Sequence, residues 1–219
     1  MAEPQIVALG GHPQDVMVEY VLGLARGPKV LYVPTASNES PASTVAWYER
    51  LRGRADMTPL FFNPWPPANL RELTLAHDVV LVPGGNTANM LAIWRVHGFD
   101  KILREAWQAG VLLTGWSAGA ICWFEAGVTD SFGPDLEGMR DGLRLLPGSA
   151  CPHYDTEDRR RPVYRQLVRV GFPPGIALDD AAGAHYVGTE LHEILSSQAG
   201  ALGYRVEPDA EEPLETRAL

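Results

Sequence analysis

Cysteine is nearly absent. Cys122 and Cys151 are the only two, too few for a disulfide framework and not spaced as a C-x-x-C pair, which excludes a disulfide-stapled secreted fold and a cysteine-built metal or redox pair. Positive charge is also scarce: 18 Lys and Arg face 27 Asp and Glu, for a formal net charge of −9. No segment carries the broad basic face that binds nucleic acid. No stretch approaches the ~18 uninterrupted apolar residues of a membrane span, and Met1–Gly10 has no basic region ahead of its short apolar run. A soluble, cytoplasmic protein with neither nucleic acid nor membrane as partner is the expectation. Phosphate-loop strings are missing as well, with no G-x-G-x-x-G and no Gly-Lys-Ser/Thr.

What is present is a regular alternation. With 219 residues, 46% of them hydrophobic, the chain can build one ordinary domain around a sizeable core. Its 22 glycines and 18 prolines fall between apolar runs and imply many tight connections between short elements. Apolar, β-branched runs at Gln5–Leu9, Lys29–Pro34, Pro59–Phe62, Asp78–Val82 and Val111–Thr114 predict buried strands. Helical spacing fills the intervals at Pro13–Ala25, Ser43–Arg52, Asn69–Ala76, Thr87–Trp94 and Phe99–Trp107. In the first of these, Val16, Tyr20, Val21 and Leu24 share a face behind Pro13, which suits a first turn. Strand alternating with helix predicts an α/β fold, a mostly parallel sheet with right-handed crossovers and helices on both faces. Such sheets bind ligands at the C-terminal ends of their strands, here Gly10-Gly11, Thr35–Ser37, Pro83–Asn86 and Gly115–Ser117.

Beyond Ser117 the pattern changes to a short helix, a Gly-rich stretch (Gly127–Gly142), and strand-like runs at Leu143–Leu146, Gly175–Leu178, His185–Val187 and Glu193–Leu195, with one helix at Glu157–Val170. Glu207–Leu219 holds five acids, two prolines and one arginine, the composition of a solvated tail with no packing face. Residues 1–206 are therefore expected to form one domain, and 207–219 a disordered acidic tail.

The most informative string is Gly115-Trp116-Ser117-Ala118-Gly119-Ala120, directly after Val111–Thr114. It satisfies G-x-S-x-G. A strand that turns sharply into a helix pushes the central side chain into a strained, exposed position, and small neighbours are needed because the turn crowds the backbone. The free N–H groups and dipole of the helix start favour developing negative charge there. Small residues that merely let a helix pack on the sheet would read the same way. Pro83-Gly84-Gly85-Asn86-Thr87 ends one strand and opens a helix; its glycines can offer a bare N–H to a substrate carbonyl, and Asn86 or Thr87 can cap the helix. If the two strands are neighbours, the pair supplies the nucleophile and amide donors that acyl transfer requires.

A serine nucleophile needs a base, and the base an orienting carboxylate. His12, His77 and His97 lie in early elements and read as surface or capping residues. His153, in Cys151-Pro152-His153-Tyr154-Asp155, is favoured by its place just past a strand-like run. His185 and His192 flank a short strand and stay open. Asp179 and Asp180 close Gly175–Leu178, and adjacent side chains on an extended segment point oppositely, so only one can face the site; Asp155 and Glu157 are alternatives. His185 and His192-Glu193 do not suggest a metal set, because the histidines are seven apart on strand-like sequence. No metal or cofactor is expected, and Cys122 and Cys151 read as ordinary buried thiols.

In their order along the chain, Pro83-Gly84-Gly85-Asn86-Thr87, Gly115-Trp116-Ser117-Ala118-Gly119-Ala120, Pro152-His153-Tyr154 and Leu178-Asp179-Asp180 resemble the peptidase E (dipeptidase E) family, relatives of cyanophycinase, over roughly Ile6 to Ser197. The resemblance implies a flavodoxin-like or class I glutamine-amidotransferase-like fold and a serine peptidase. Ser117 would be the nucleophile, His153 the general base and Asp180 the orienting acid, with the amides of Gly85 and Ala118 as the oxyanion hole. Arg160, within Arg159-Arg160-Arg161, is the nearest match to the arginine with which peptidase E neutralises an aspartyl substrate. Asn86 and Trp116, beside the donors and the nucleophile, complete the expected substrate contacts. Peptidase E carries glutamate where this chain has Asp180, and a longer C-terminal segment. Hydrolysis of small peptides through an acyl-enzyme is expected, with aspartyl-dipeptide specificity and a homodimer left open.

Two other readings compete. An esterase of the α/β-hydrolase type shares G-x-S-x-G but orders its triad Ser, Asp, His, which would make Asp155 or Asp180 the acid and His185 or His192 the base; no His-Gly-Gly-Gly string supports it. A small-molecule binding protein on the same scaffold would keep the elbow for packing alone.

Overall fold

The computed structural model describes residues 3–219. The first half of the chain runs β1 (Gln5–Leu9), α1 (Asp15–Leu24), β2 (Lys29–Tyr32), a 3-10 turn (Pro34–Ser37), α2 (Pro41–Leu51), β3 (Asp56–Pro59), α3 (Leu70–Leu75), β4 (Val79–Val82), α4 (Thr87–Val96), α5 (Phe99–Gln108), β5 (Leu112–Trp116) and the four-residue α6 (Ala118–Ile121). The second half adds β6 (Phe124–Thr129), β7 (Glu137–Met139), β8 (Leu146–Cys151), α7 (Arg160–Arg169), β9 (Gly175–Leu178), β10 (Ala182–Val187), β11 (Glu190–Ser196), β12 (Gly203–Val206), β13 (Glu211–Pro213) and β14 (Thr216–Ala218).

An eight-stranded sheet has the order β14-β11-β10-β1-β5-β4-β2-β3. From β1 to β3 every pairing is parallel; β10 joins the other side of β1 antiparallel. Because the central parallel strands are covered on both faces, β1, β4 and β5 are buried almost throughout, and alternate side chains feed two cores. Ile6, Ala8, Leu31, Val80, Val82 and Leu113 meet Met90, Trp94, Phe99 and Leu103 of α4 and α5. Val7, Leu9, Val30, Tyr32, Leu81 and Leu112 meet Met17, Val18 and Val21 of α1 and Trp47 and Leu51 of α2. The α5 spacing shows the cause: Phe99, Leu103, Ala106 and Trp107 are buried, at intervals of four, three and one that line one helical face.

The expected strand at Pro59–Phe62 lies earlier, at Asp56–Pro59. Leu60 and Phe62 are buried in irregular chain, so hydrophobicity marked their burial without marking their conformation. The second half builds a separate six-stranded mixed sheet, β13-β12-β9-β8-β6-β7, which packs on α7 through Tyr154, Tyr164, Val168 and Phe172. The expectation of a disordered tail at 207–219 does not hold. β13 pairs antiparallel with β12 and β14 parallel with β11, one strand on each sheet. Both sheets present an edge of unpaired backbone groups, and the tail's charges find partners: Glu211 with Arg161 and Arg165, and Arg217 with Glu193.

Candidate active site

Ser117 follows β5 at φ 56, ψ −116, with no capping hydrogen bond from its side chain. A non-glycine residue at positive φ is strained, and such corners persist only where the surroundings over-determine them. The glycines on either side explain how this one does. A Cβ on Gly115 would fall 2.3 Å from the Val82 carbonyl oxygen, and one on Gly119 only 2.1 Å from it. The corner can lie against β4 only without those side chains. The Ser117 N–H donates to the Leu9 carbonyl at 3.3 Å, while its own carbonyl accepts from Ala120 and Ile121 at 2.9 Å. The backbone is held on both sides and the hydroxyl is left uncommitted.

The Pro83–Asn86 loop, at the end of neighbouring β4, closes onto this corner. A Cβ on Gly84 would lie 3.1 Å from the Ser117 Cβ, and one on Gly85, at φ +139, only 2.0 Å from the Ala36 carbonyl. The Asn86 N–H donates to that carbonyl at 2.8 Å. Among the described residues, neither the Gly85 nor the Ala118 N–H donates to another backbone group, which leaves an open donor on each of the two segments that meet at this corner. The Asn86 side chain is engaged by the scaffold instead: Oδ1 accepts from the Asn89 N–H at 2.8 Å as the α4 cap, and Nδ2 donates to the Ser131 carbonyl at 3.0 Å.

His153 and Asp180 arrive from the second sheet by way of β1. Leu9 takes the Ser117 N–H; two residues on, the Gly11 N–H donates to the Asp180 carbonyl at 2.9 Å. Side chains on Gly10 or Gly11 would strike the Asp179 carbonyl oxygen at 2.0 Å or the Asp180 carboxyl at 2.6 Å. The Tyr154 N–H donates to the Leu178 carbonyl at 3.1 Å, drawing the loop after β8 onto the end of β9. There His153 Nδ1 and Asp180 Oδ1 are 2.5 Å apart. The Asp180 N–H is fixed in turn by Asp155 Oδ1 at 2.8 Å. His153 is at φ 55, so both the serine and the histidine are in positive-φ corners. Asp179 points elsewhere: 4% exposed, its Oδ2 accepts from the Leu202 N–H at 2.8 Å, and burial raises its pKa.

Trp116 is 8% exposed, stacked on Trp47 with ring centroids 5.1 Å apart and met edge-on by His12 at 5.1 Å. Arg160 does not reach outward. At 3% exposure, its Nη1 donates to the Val128 carbonyl at 2.8 Å and its Nε to Glu157 at 2.7 Å. Its role is to tie the start of α7 to β6. Arg159 pairs with Asp135 and Arg161 with Glu211, so no arginine of this run is without an acidic partner.

The remaining candidates sort by their contacts. His185 is 3% exposed, with Nδ1 against the Tyr20 hydroxyl and Nε2 against Gln5, both at 2.8 Å, an arrangement unsuited to the esterase reading. Strand pairing places His185, His192 and Glu193 with ligand atoms within 4.8 Å of one another, so spacing along the chain was the wrong reason to set them aside. Arg217, at 2.7 and 3.1 Å, and the Tyr20 hydroxyl, at 2.8 Å, already occupy the Glu193 carboxylate. Burial pushes the Cys151 thiol up to about 12 and that of Cys122 well above its ordinary value, so both are inert at neutral pH. Sequence reasoning missed the bracing contacts of Asp155 and Tyr154, whose partners Asp180, Leu178 and Glu211 are distant in the chain.

A hydroxyl exposed by a strained β-to-α corner, flanked by open amides on a parallel sheet, belongs to the serine-type hydrolases. Comparison with known proteins narrows the class. The chain matches the sequence model of Peptidase family S51 over residues 10–194 and belongs to that family of peptidases. The uncharacterized peptidase YgaJ of Bacillus subtilis (strain 168) is 42% identical over 214 residues, covering 92% of this chain and 91% of its own. Two solved structures share the fold. A peptidase from an acI-B1 Actinobacterium aligns with TM-score 0.70 at 16% identity, over 98% of this chain and 95% of that one. A putative peptidase E protein from Listeria monocytogenes EGD-e aligns with TM-score 0.67 at 20% identity, over 87% and 97%. No helix among the described residues is long and apolar enough to cross a membrane.

Proposed function

We propose that the chain hydrolyses small peptides through an acyl-enzyme on Ser117. His153 accepts the Ser117 proton as Oγ attacks the scissile carbonyl carbon. The oxyanion that forms is held by the Gly85 and Ala118 N–H groups, and Asp180 keeps the imidazole in the tautomer that accepts. The tetrahedral intermediate collapses, His153 returns the proton to the leaving amine, and water activated by the same imidazole releases the acid. The observation that carries this reading is the Ser117 corner, φ 56 and ψ −116, with an uncapped hydroxyl. The 2.5 Å His153–Asp180 contact supports it.

Aspartyl-dipeptide specificity has no support from the arginine run, because each guanidinium there is already paired. Two free, buried thiols suit a reducing cytoplasm, and the acidic balance suits small peptides over nucleic acid. A fluorophosphonate probe should label the protein and fail on Ser117→Ala. Equal labelling of the two would remove Ser117 from the mechanism. A screen of dipeptides and blocked peptides with the same pair would then define the substrate.

A further inference from the structure

The C-terminal strands close on the loop that carries His153. Glu207, Asp209, Glu212 and Glu215 are exposed, but the Glu211 side chain is only 8% exposed. Its Oε2 accepts the Tyr154 hydroxyl at 2.7 Å, its Oε1 takes the Arg161 guanidinium, and Arg165 Nε lies 3.5 Å from Oε2. Arg161 also covers the Tyr154 and Tyr204 rings, 5.4 and 5.1 Å from their centroids. Tyr154, the residue after His153, is 3% exposed and held at both ends, by its amide on Leu178 and by its hydroxyl on Glu211. The backbone of His153 at φ 55 needs such support, since a strained residue keeps its conformation only under external constraint. The support is anchored: β13, which carries Glu211, pairs with β12, and β12 with β9, the strand leading into Asp180.

We propose that Glu211 is a positioning residue for the general base: through its hydrogen bond from Tyr154, the C-terminal strap fixes His153 in the orientation that pairs with Asp180. This rests on the serine-peptidase reading above. A strap that acted only as an ionic clasp would depend on the Glu211 charge; one that acts through Tyr154 depends on an acceptor for its hydroxyl. Glutamine keeps that acceptor and loses the charge, whereas alanine loses both.

The test is p-nitrophenyl acetate hydrolysis by Glu211→Ala, Glu211→Gln, Tyr154→Phe and Ser117→Ala, with kcat, KM and Tm read separately. Glu211→Ala and Tyr154→Phe are expected to lower kcat about 10- to 100-fold, as for a catalytic group displaced on the ångström scale, with KM little changed. Glu211→Gln restores most of that loss although its Tm falls with that of Glu211→Ala, since both lack the arginine pairs. If Glu211→Ala does not fold, Tyr154→Phe decides, because it removes one oxygen and keeps the ring. Parent-like kcat in Tyr154→Phe, or a Glu211→Gln as slow as Glu211→Ala, overturns the strap's role while an inactive Ser117→Ala leaves the peptidase reading standing. Retained turnover in Ser117→Ala overturns both.

Discussion

Replacing Gly119 by alanine is expected to cut turnover about a hundredfold in a protein that still folds. The new Cβ would lie 2.1 Å from the Val82 carbonyl oxygen and 2.8 Å from its carbon, where ordinary contact begins at 3.4 Å. Something must yield by about 1.3 Å. The atoms struck are backbone of β4, which is paired on one side with β2 and on the other with β5, so α6 and the Ser117 corner move instead. Overpacking of this kind costs about 1–3 kcal/mol, or about 2–4 °C in Tm for each kcal/mol in a chain of this size. A displacement near 1 Å at a reacting group costs on the order of 10²-fold in rate. Gly23→Ala is the control. It is in α1 with nothing within 4 Å of the added atom, and should stabilise by about 0.4–1 kcal/mol at unchanged rate. Activated-ester hydrolysis and thermal unfolding of both variants read the two effects separately. A folded Gly119→Ala with kcat/KM within about threefold of the parent would show that reactivity does not depend on the seating of the elbow against β4, contrary to the packing of that corner.

Asp180→Asn should lower kcat by on the order of 10³–10⁴-fold with little change in fold, because an amide facing Nδ1 allows the wrong imidazole tautomer; a loss under about tenfold would leave His153 without need of its partner. Glu193 gives a pH test. The Arg217 hydrogen bonds, assisted by Tyr20 and opposed by burial, hold its pKa down at about 2, below the ordinary 4.5. Since the folded value is depressed, its stabilisation is complete above about pH 4.5 and disappears as pH falls through about 2. Around it, His185, His192, Tyr20 and Arg217 are the groups that share the field. Glu193→Gln should therefore be less stable by about 1 kcal/mol at pH 7, the scale of a solvent-screened ion pair, with the gap to the parent in urea unfolding narrowing across that acid range. A gap independent of pH would assign the effect to packing instead of charge.

Much of the active corner was legible in the chain. Ser117 and its flanking glycines form a six-residue string that is read locally, although the group that requires those glycines is the Val82 carbonyl of β4, and the five apolar runs before it fall at or beside the five strands they predicted. His153 was singled out by its place after a strand-like run, and β8 does end two residues before it; its contact with Asp180, 27 residues on, has no local signature. Arg160 shows the limit. A run of three arginines looks alike in sequence, yet one is buried against Val128 and Glu157 while its neighbours pair with Asp135 and Glu211, partners that local pattern does not identify.

Hydrophobic period and glycine placement are properties of neighbouring residues, so composition and spacing alone were enough to predict a mostly parallel sheet and a sharp corner at Ser117; that the Pro83–Asn86 loop faces that corner is decided by the pairing of β4 with β5. The choice between Asp179 and Asp180 by geometry, the second sheet and the docking of residues 207–219 depend on pairings across tens to nearly two hundred residues. A carboxylate's partner and a strand's neighbour are set by where the folded backbone places them. That is why the acidic terminal segment, polar enough to read as a solvated tail, becomes two strands and a buried glutamate only once both sheet edges and the α7 arginines are in position.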